Sequence, residues 1–502
     1  MRRVLLALAP TIVLIGVASG LWLSATPHVL ILTPDSYGYL GPSLSALSGT
    51  GFSHVYGRGF VYPLVIYGSL IAFGSLSGLI YLQAACYLAT LVMLIALLWL
   101  YRTSTLVTGI LSFLLTAIYL AYAPLTIYTQ AVMPEVFWSF LAVLSTFALI
   151  VAQRIRGGVL FGVMMAVAIY ANWANVLVKP QWLLAAAFLT LVWLAVLFTS
   201  RLRWKVTLLL AMVTLVLTTL VLPERHLIAK YDVAQSALFA PKSLFCNHAD
   251  IIVRASADDS TFWAGQPADF ARDIMTRLRA TVAQGPHGWF LLGFDGDMCM
   301  YGENNPEVFV RKQFADDVPS MRAFYVSTFL RAIATEPLTY AGKIGQQMWF
   351  AMAQPIPHFD LQIEARSEDM PQRSSHPGLD HIYPPTAGTV GGFAPHLLPA
   401  KARHRGPWLA AVAVLIAIAV IFGASWKPLF PIVVIMGVWF GESLTVAVSH
   451  TFDINRYRWI GVPLVLATLF LSAQWASDIN PLRARRSQRV ARQAGTSQAG
   501  MT

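Results

Sequence analysis

Charge is what this chain has least of. Asp, Glu, Lys and Arg make up only 12% of its 502 residues, against 57% hydrophobic residues. A soluble domain carries about 25% charged residues. The length would allow two or three soluble domains, but so little charge could not cover their surface. Cysteine is also scarce: three residues do not make a disulfide scaffold. No internal repeat, heptad or low-complexity block is present, and collagen-like and disordered classes fall away with them. What remains is an all-α polytopic membrane protein. The net charge of +11 would suggest nucleic acid in a soluble chain. In a membrane chain the placement of the cations matters more than their sum, and no nucleic-acid partner is expected.

A membrane-crossing helix needs about 20 mostly apolar residues. Nine runs qualify after the first segment: 77–101, 105–123, 132–152, 158–178, 181–199, 205–223, 407–425, 428–448 and 458–476. The first segment, 4–24, follows Met1-Arg2-Arg3 and resembles a signal peptide, but its long apolar run favours a retained anchor. About ten helices are expected. With the N-terminus inside, one set of loops carries Arg102, Arg154, Arg156, Arg201, Arg203, Lys205 and Lys427, and the tail adds Arg483, Arg485, Arg486, Arg489 and Arg492. Every short basic cluster then falls on one side, as the positive-inside rule demands. Both termini are expected in the cytoplasm, with 25–59, 124–131, the Lys179-Pro180 turn, 224–405 and 449–457 outside. The loop character suggests a bacterial inner membrane.

The stretch 60–76 is apolar but short, and Pro63 and glycines interrupt it. Counted as a span it would invert every later loop, so a helix at the outer interface, or re-entering there, is expected. The organisation reads as an N-terminal membrane module (1–223), an extracytoplasmic segment (224–405), a C-terminal membrane module (406–480) and a basic cytoplasmic tail (481–502) suited to anionic lipid. In 321–354 apolar residues recur at three and four, closing on Trp349 and Phe350. That predicts an amphipathic helix on the membrane surface or packed on the bundle, with two short spans as the alternative. Residues 366–405 read as loop.

Against this background the polar residues near the membrane stand out. Asp35 lies just beyond the first helix, where a carboxylate is wet enough to ionise and near enough to a lipid headgroup to act as a general base. It is equally suited to cap a following helix. Glu135 opens an apolar run, costly unless paired or facing a cavity, although the helix dipole also favours an acid there. His450, Asp453, Arg456 and Arg458 crowd the start of the last span, and Arg456 suits a phosphate or snorkelling. Arg58 and Lys179 are two more outer cations of the same kind. Cys86 reads as a packed thiol. Cys246 and Cys299 share the long polar segment, and outside the cytoplasm they are candidates for a disulfide. His358, His376 and His381, with Asp360 and Asp380, fit no trusted zinc spacing. The Asp-Gly-Asp at 295–297 suits a hard cation less well than a turn.

The outer loops together resemble the GT-C superfamily of membrane glycosyltransferases, in the arrangement of the lipid A aminoarabinose transferase and the protein O-mannosyltransferases. The pieces are PDSYGYL at 34–40, RGFVYPL at 58–64, MPEVF at 133–137 and DINRY at 453–457; ATEPLTYAGKI at 334–344 resembles the Pro-x-x-Tyr helix of such enzymes. The resemblance does not cover 224–320 or 360–405. It implies transfer of a monosaccharide from a polyprenyl-phosphate carrier to an acceptor hydroxyl of a lipid, glycan or protein on the outer face, with inversion. Asp35 would be the catalytic carboxylate, supported by Glu135. Arg58, Lys179, Arg456 and Arg458 would hold the phosphate, and Tyr37, Asp453 and His450 would lie at the acceptor loops. Many relatives carry a second acid beside the first-loop Asp; here Ser36 follows Asp35, so a divalent metal is conceivable but not indicated, and no other cofactor is expected. Two rivals stand beside this reading. An O-antigen ligase or polymerase would use Arg and His of 224–405. A transporter would show inverted repeats and ionisable residues at mid-membrane.

Overall fold

The computed structural model describes residues 2–25, 30–32, 35–55, 57–102, 104–121, 123–231, 233–283, 294–353, 412–417, 428–449 and 461–477. Among them it is helical throughout, with two isolated bridges and no strand. The first eleven helices are α1 (Arg2–Ala25), α2 (Ser36–Leu47), α3 (Val61–Phe73), α4 (Ser77–Leu100), α5 (Thr105–Leu120), α6 (Ala123–Tyr128), α7 (Glu135–Ile155), α8 (Gly158–Val178), α9 (Leu183–Thr199), α10 (Lys205–Val216) and α11 (Leu222–Tyr231). Then come α12 (Val233–Asn247), α13 (Ala249–Asp258), α14 (Ala268–Ala283), α15 (Gly296–Met300), α16 (Glu307–Phe314), α17 (Val318–Thr335) and α18 (Pro337–Ala353). The last two are α19 (Leu429–Ser449) and α20 (Val462–Ser477).

Six helices among the described residues are long and apolar enough to cross a membrane: Ser77–Leu100, Glu135–Ile155, Gly158–Val178, Pro180–Thr199, Lys205–Tyr231 and Leu429–Ser449. The chain is thus an integral membrane protein. α5 and α20 have 16 residues each, about 24 Å of helix against a hydrocarbon core of about 30 Å. The predicted span 407–425 lies largely outside the described residues. α3 has 13 residues and stops at Gly74, whose left-handed φ of +65° closes it. The predicted boundary at 223 falls inside a continuous helix. Lys205–Tyr231 runs through a wide turn at Leu217–Val221 and carries Glu224 and Arg225 beyond it.

Two cores divide the molecule. The larger joins α1–α10 with α19 and α20 through aromatic and aliphatic side chains such as Tyr62, Tyr87, Trp138, Trp182 and Trp475. The smaller lies in the segment after α11 and packs α12–α17 around Phe245, Ile252, Leu278, Phe324 and Tyr325. The expected single helix over 321–354 is in fact two. Pro337 disfavours a helical conformation at Glu336, which sits at φ −122°, ψ 53°. The break sends α17 into the outer core, while α18 lays Met348 and Ala351 against Val446 and Ala447 of α19. α18 therefore joins the two bodies.

Candidate active site

Asp35 occupies the position before α2, but its side chain makes no capping bond. Its Oδ1 instead accepts a hydrogen bond from Arg58 Nη2 at 2.7 Å, with both side chains about a quarter exposed. The Arg58 guanidinium lies over the buried Tyr39 ring, 4.5 Å from its centroid, a favourable cation–π placement. Burial works against the Arg58 charge, but Tyr39 and Asp35 outweigh it and its pKa is raised. It stays a cation.

Glycines let the loop close. A side chain at Gly38 would strike the Arg58 guanidinium, and one at Gly59 would collide with the Leu177 carbonyl oxygen. The loop thus runs directly over the end of α8, bringing Arg58 towards Lys179. Glu224 of α11 anchors the same loop: Oε2 accepts from Phe60 N at 3.0 Å, and Oε1 lies 3.2 Å from His54 Nε2.

Lys179 ends α8 in an extended conformation set by the following Pro180. Its Nζ donates to Glu135 Oε1 at 2.6 Å and lies 5.3 Å from the Trp138 ring centroid. Glu135, the first residue of α7, is fully buried. It is both an acid at a helix N-terminus and a paired one. Among the described residues its Oε2 has no hydrogen-bond partner, nor do the side-chain atoms of buried Asn175, one turn before Lys179. Glu442 of α19 is also buried, and one of its carboxylate oxygens finds no hydrogen-bond partner among the described residues.

Above this floor opens a cleft of about 480 Å³. Asp35, Arg58 and Lys179 line its membrane side; Ser243 and Asn247 of α12 and Asp297 of α15 line the other. Both walls are fixed. Cys246 and Cys299 form a disulfide that ties α12 to α15. Asp295 caps α15 by accepting from Asp297 N at 2.9 Å, so the Asp-Gly-Asp stretch is a helix-starting turn that presents Asp297. The outer body is tethered to the end of α19: Asn247 Nδ2 donates to Ser449 O at 3.2 Å, and His248 Nε2 lies 2.8 Å from Val448 O.

The structure brings together Asp35 and Arg58, from the two ends of one loop segment, with Lys179 at the end of α8, and sets Glu135 beneath them. Tyr37 is half-buried on α2 and does not line the cleft. His450, Asp453, Arg456 and Arg458 lie outside the described residues, as do His358, Asp360, His376, Asp380 and His381. Among the described residues no three His, Cys, Asp or Glu side chains gather as metal ligands. Sequence reasoning missed Glu442, whose signal was a lone acid inside an apolar span. It also missed Glu224, Ser243 and Asn247, which carry no local pattern. The chain matches no family model, no curated protein and no solved structure.

Proposed function

We propose that the chain is a membrane glycosyltransferase of the GT-C type, moving a monosaccharide from a polyprenyl-phosphate carrier to an acceptor hydroxyl. The observation that carries this reading is the convergence of Asp35, Arg58 and Lys179 on one cleft at the end of an apolar helix bundle. A lipid-anchored donor keeps its phosphate at the membrane surface, so cations and a base must meet it there. The acceptor oxygen attacks the anomeric carbon, and its proton passes to Asp35. The bond from that carbon to the phosphate oxygen breaks, and the electron pair leaves with polyprenyl phosphate. In-line attack inverts the anomeric centre. Arg58, paired with Asp35, and Lys179 stabilise the charge growing on the phosphate. Arg456 and Arg458 of the last outer loop would add to that cradle, with Asp453 and His450 nearer the acceptor. The cleft also fixes the reactants in attack geometry.

In this reading about ten helices cross a bacterial inner membrane, both termini are cytoplasmic, and the cleft faces outward. The supporting argument is the one-sided distribution of Lys and Arg. The test is release of sugar from a radiolabelled polyprenyl-phosphate monosaccharide by the purified protein, with Asp35→Asn beside the wild type. Turnover by the wild type and near-complete loss in the inserted variant support the reading. Equal turnover would move the chemistry into the outer segment, as in a ligase. No turnover on any such donor would set the enzyme reading aside in favour of transport.

A further inference from the structure

The end of the bundle opposite the cleft holds a second cavity. α1 touches α4 where Trp22 stacks on Tyr87, with centroids 5.0 Å apart. Further from the cleft α1, α4 and α7 leave between them a groove of about 360 Å³, within the range of small-molecule sites. Its lining is wholly apolar, including Ile15, Val92, Ala96, Phe147 and Val151. Val92 is exposed at its side, so the groove opens laterally, where lipid would lie.

The mouth is different in character. Trp99 lines the groove, and its indole Nε1–H is buried without an acceptor among the described residues. A buried donor left unsatisfied costs about 1–3 kcal/mol, a cost that a ligand oxygen would relieve. Two exposed arginines stand beside it. Arg102 lies 5.9 Å from the Trp99 ring centroid, and Arg154, three residues beyond Val151, lies 5.5 Å from that of Tyr101. Among the described residues neither arginine pairs with a carboxylate. An apolar slot for a chain, an indole donor and two guanidinium groups make up the complement of one amphiphile.

We propose that this groove is a binding site for an anionic phospholipid of the leaflet opposite the cleft. One acyl chain lies along α4 between α1 and α7, an ester or phosphate oxygen accepts from Trp99, and the phosphate faces Arg102 and Arg154. Charge complementarity selects an anionic headgroup, because each cation near an anionic lipid surface contributes about 1 kcal/mol. The site is independent of any reaction in the cleft.

Native mass spectrometry of the full-length protein in detergent tests this, with phosphatidylglycerol and phosphatidylcholine of identical acyl chains as probes. The wild type should retain phosphatidylglycerol roughly thirtyfold better, the product of two such contacts. The exposed double variant R102Q/R154Q should bring that ratio close to one. Ala96→Phe, which fills the groove, should lose both lipids. An unchanged preference in R102Q/R154Q, or wild-type retention by Ala96→Phe, would overturn the proposal. Displacement of phosphatidylglycerol by equimolar polyprenyl phosphate would overturn the choice of occupant.

Discussion

The two helical bodies treat charge in opposite ways. In the outer body it is common and structural. Lys242 bonds Glu307 at 2.5 Å, Glu307 also pairs with Arg311, and Lys343 bonds Asp250 at 2.7 Å. Partly exposed pairs of this kind hold helices in register and are worth little individually. In the membrane body charge is rare: Asp35–Arg58 lines the cleft, Glu135–Lys179 lies at its floor, and His54–Glu224 anchors the loop that carries Arg58. A buried ion pair is weak evidence of stability, because desolvation offsets much of the attraction. Where an apolar bundle nevertheless keeps such groups at one place, that place is the candidate for chemistry.

The contrast can be broken first at Lys179. Lys179→Met leaves the buried Glu135 without its cation and should cost about 3–5 kcal/mol, read as a lower midpoint of unfolding in detergent. The double variant with Glu135→Gln should recover much of that loss. If the single variant is as stable as the wild type, the floor of the cleft is not held by this pair. Next comes the disulfide. Replacing Cys246 and Cys299 by serine frees a loop with a sequence separation of 53 and should cost about 4 kcal/mol. It should loosen the outer body while the membrane body stays helical.

A smaller, pH-dependent effect sharpens the comparison. Burial alone would raise the Glu307 pKa, but Lys242 and Arg311 outweigh it and hold it below its ordinary value. The unfolded chain therefore takes up this proton first as pH falls. Stability from Glu307 is complete above the ordinary glutamate pKa and is lost as pH drops through the lower folded value. On the lysine side burial wins and the Lys242 pKa is lowered, so the pair contributes less than the Glu307 shift alone suggests. Acid titration of unfolding should show this slope, and Glu307→Gln should flatten it. The smallest effect is expected at Arg272, whose pair with Asp269 is exposed: Arg272→Ala should shift stability by under about 0.5 kcal/mol.

Much of this was legible in the sequence because charge is conspicuous in an apolar chain. Asp35, Arg58, Glu135 and Lys179 stood out as ionisable residues at the ends of apolar runs, and the structure sets all four at one cleft or directly beneath it. Glu442 was hidden for the opposite reason: a single acid within GVWFGESLTVAVS barely lowers the hydropathy of its run. Apolar periodicity across 321–354 outweighed Pro337, although the proline decides that α17 and α18 part company. Ser243 and Asn247 could not be found, and Asp297 was noted only as part of a turn, because their place in the cleft depends on folding the outer body back onto α19.

The central claim, that the cleft is where the reaction occurs, is tested most directly at a lining residue outside the proposed chemistry. Val55 lines the cleft, and the one free thiol of the chain, Cys86, is buried. A Val55→Cys variant that turns over donor can therefore be labelled at a single position with a methanethiosulfonate reagent. The account expects labelling to extinguish sugar release, and bound donor to slow the labelling. Full turnover by the completely labelled protein would contradict it.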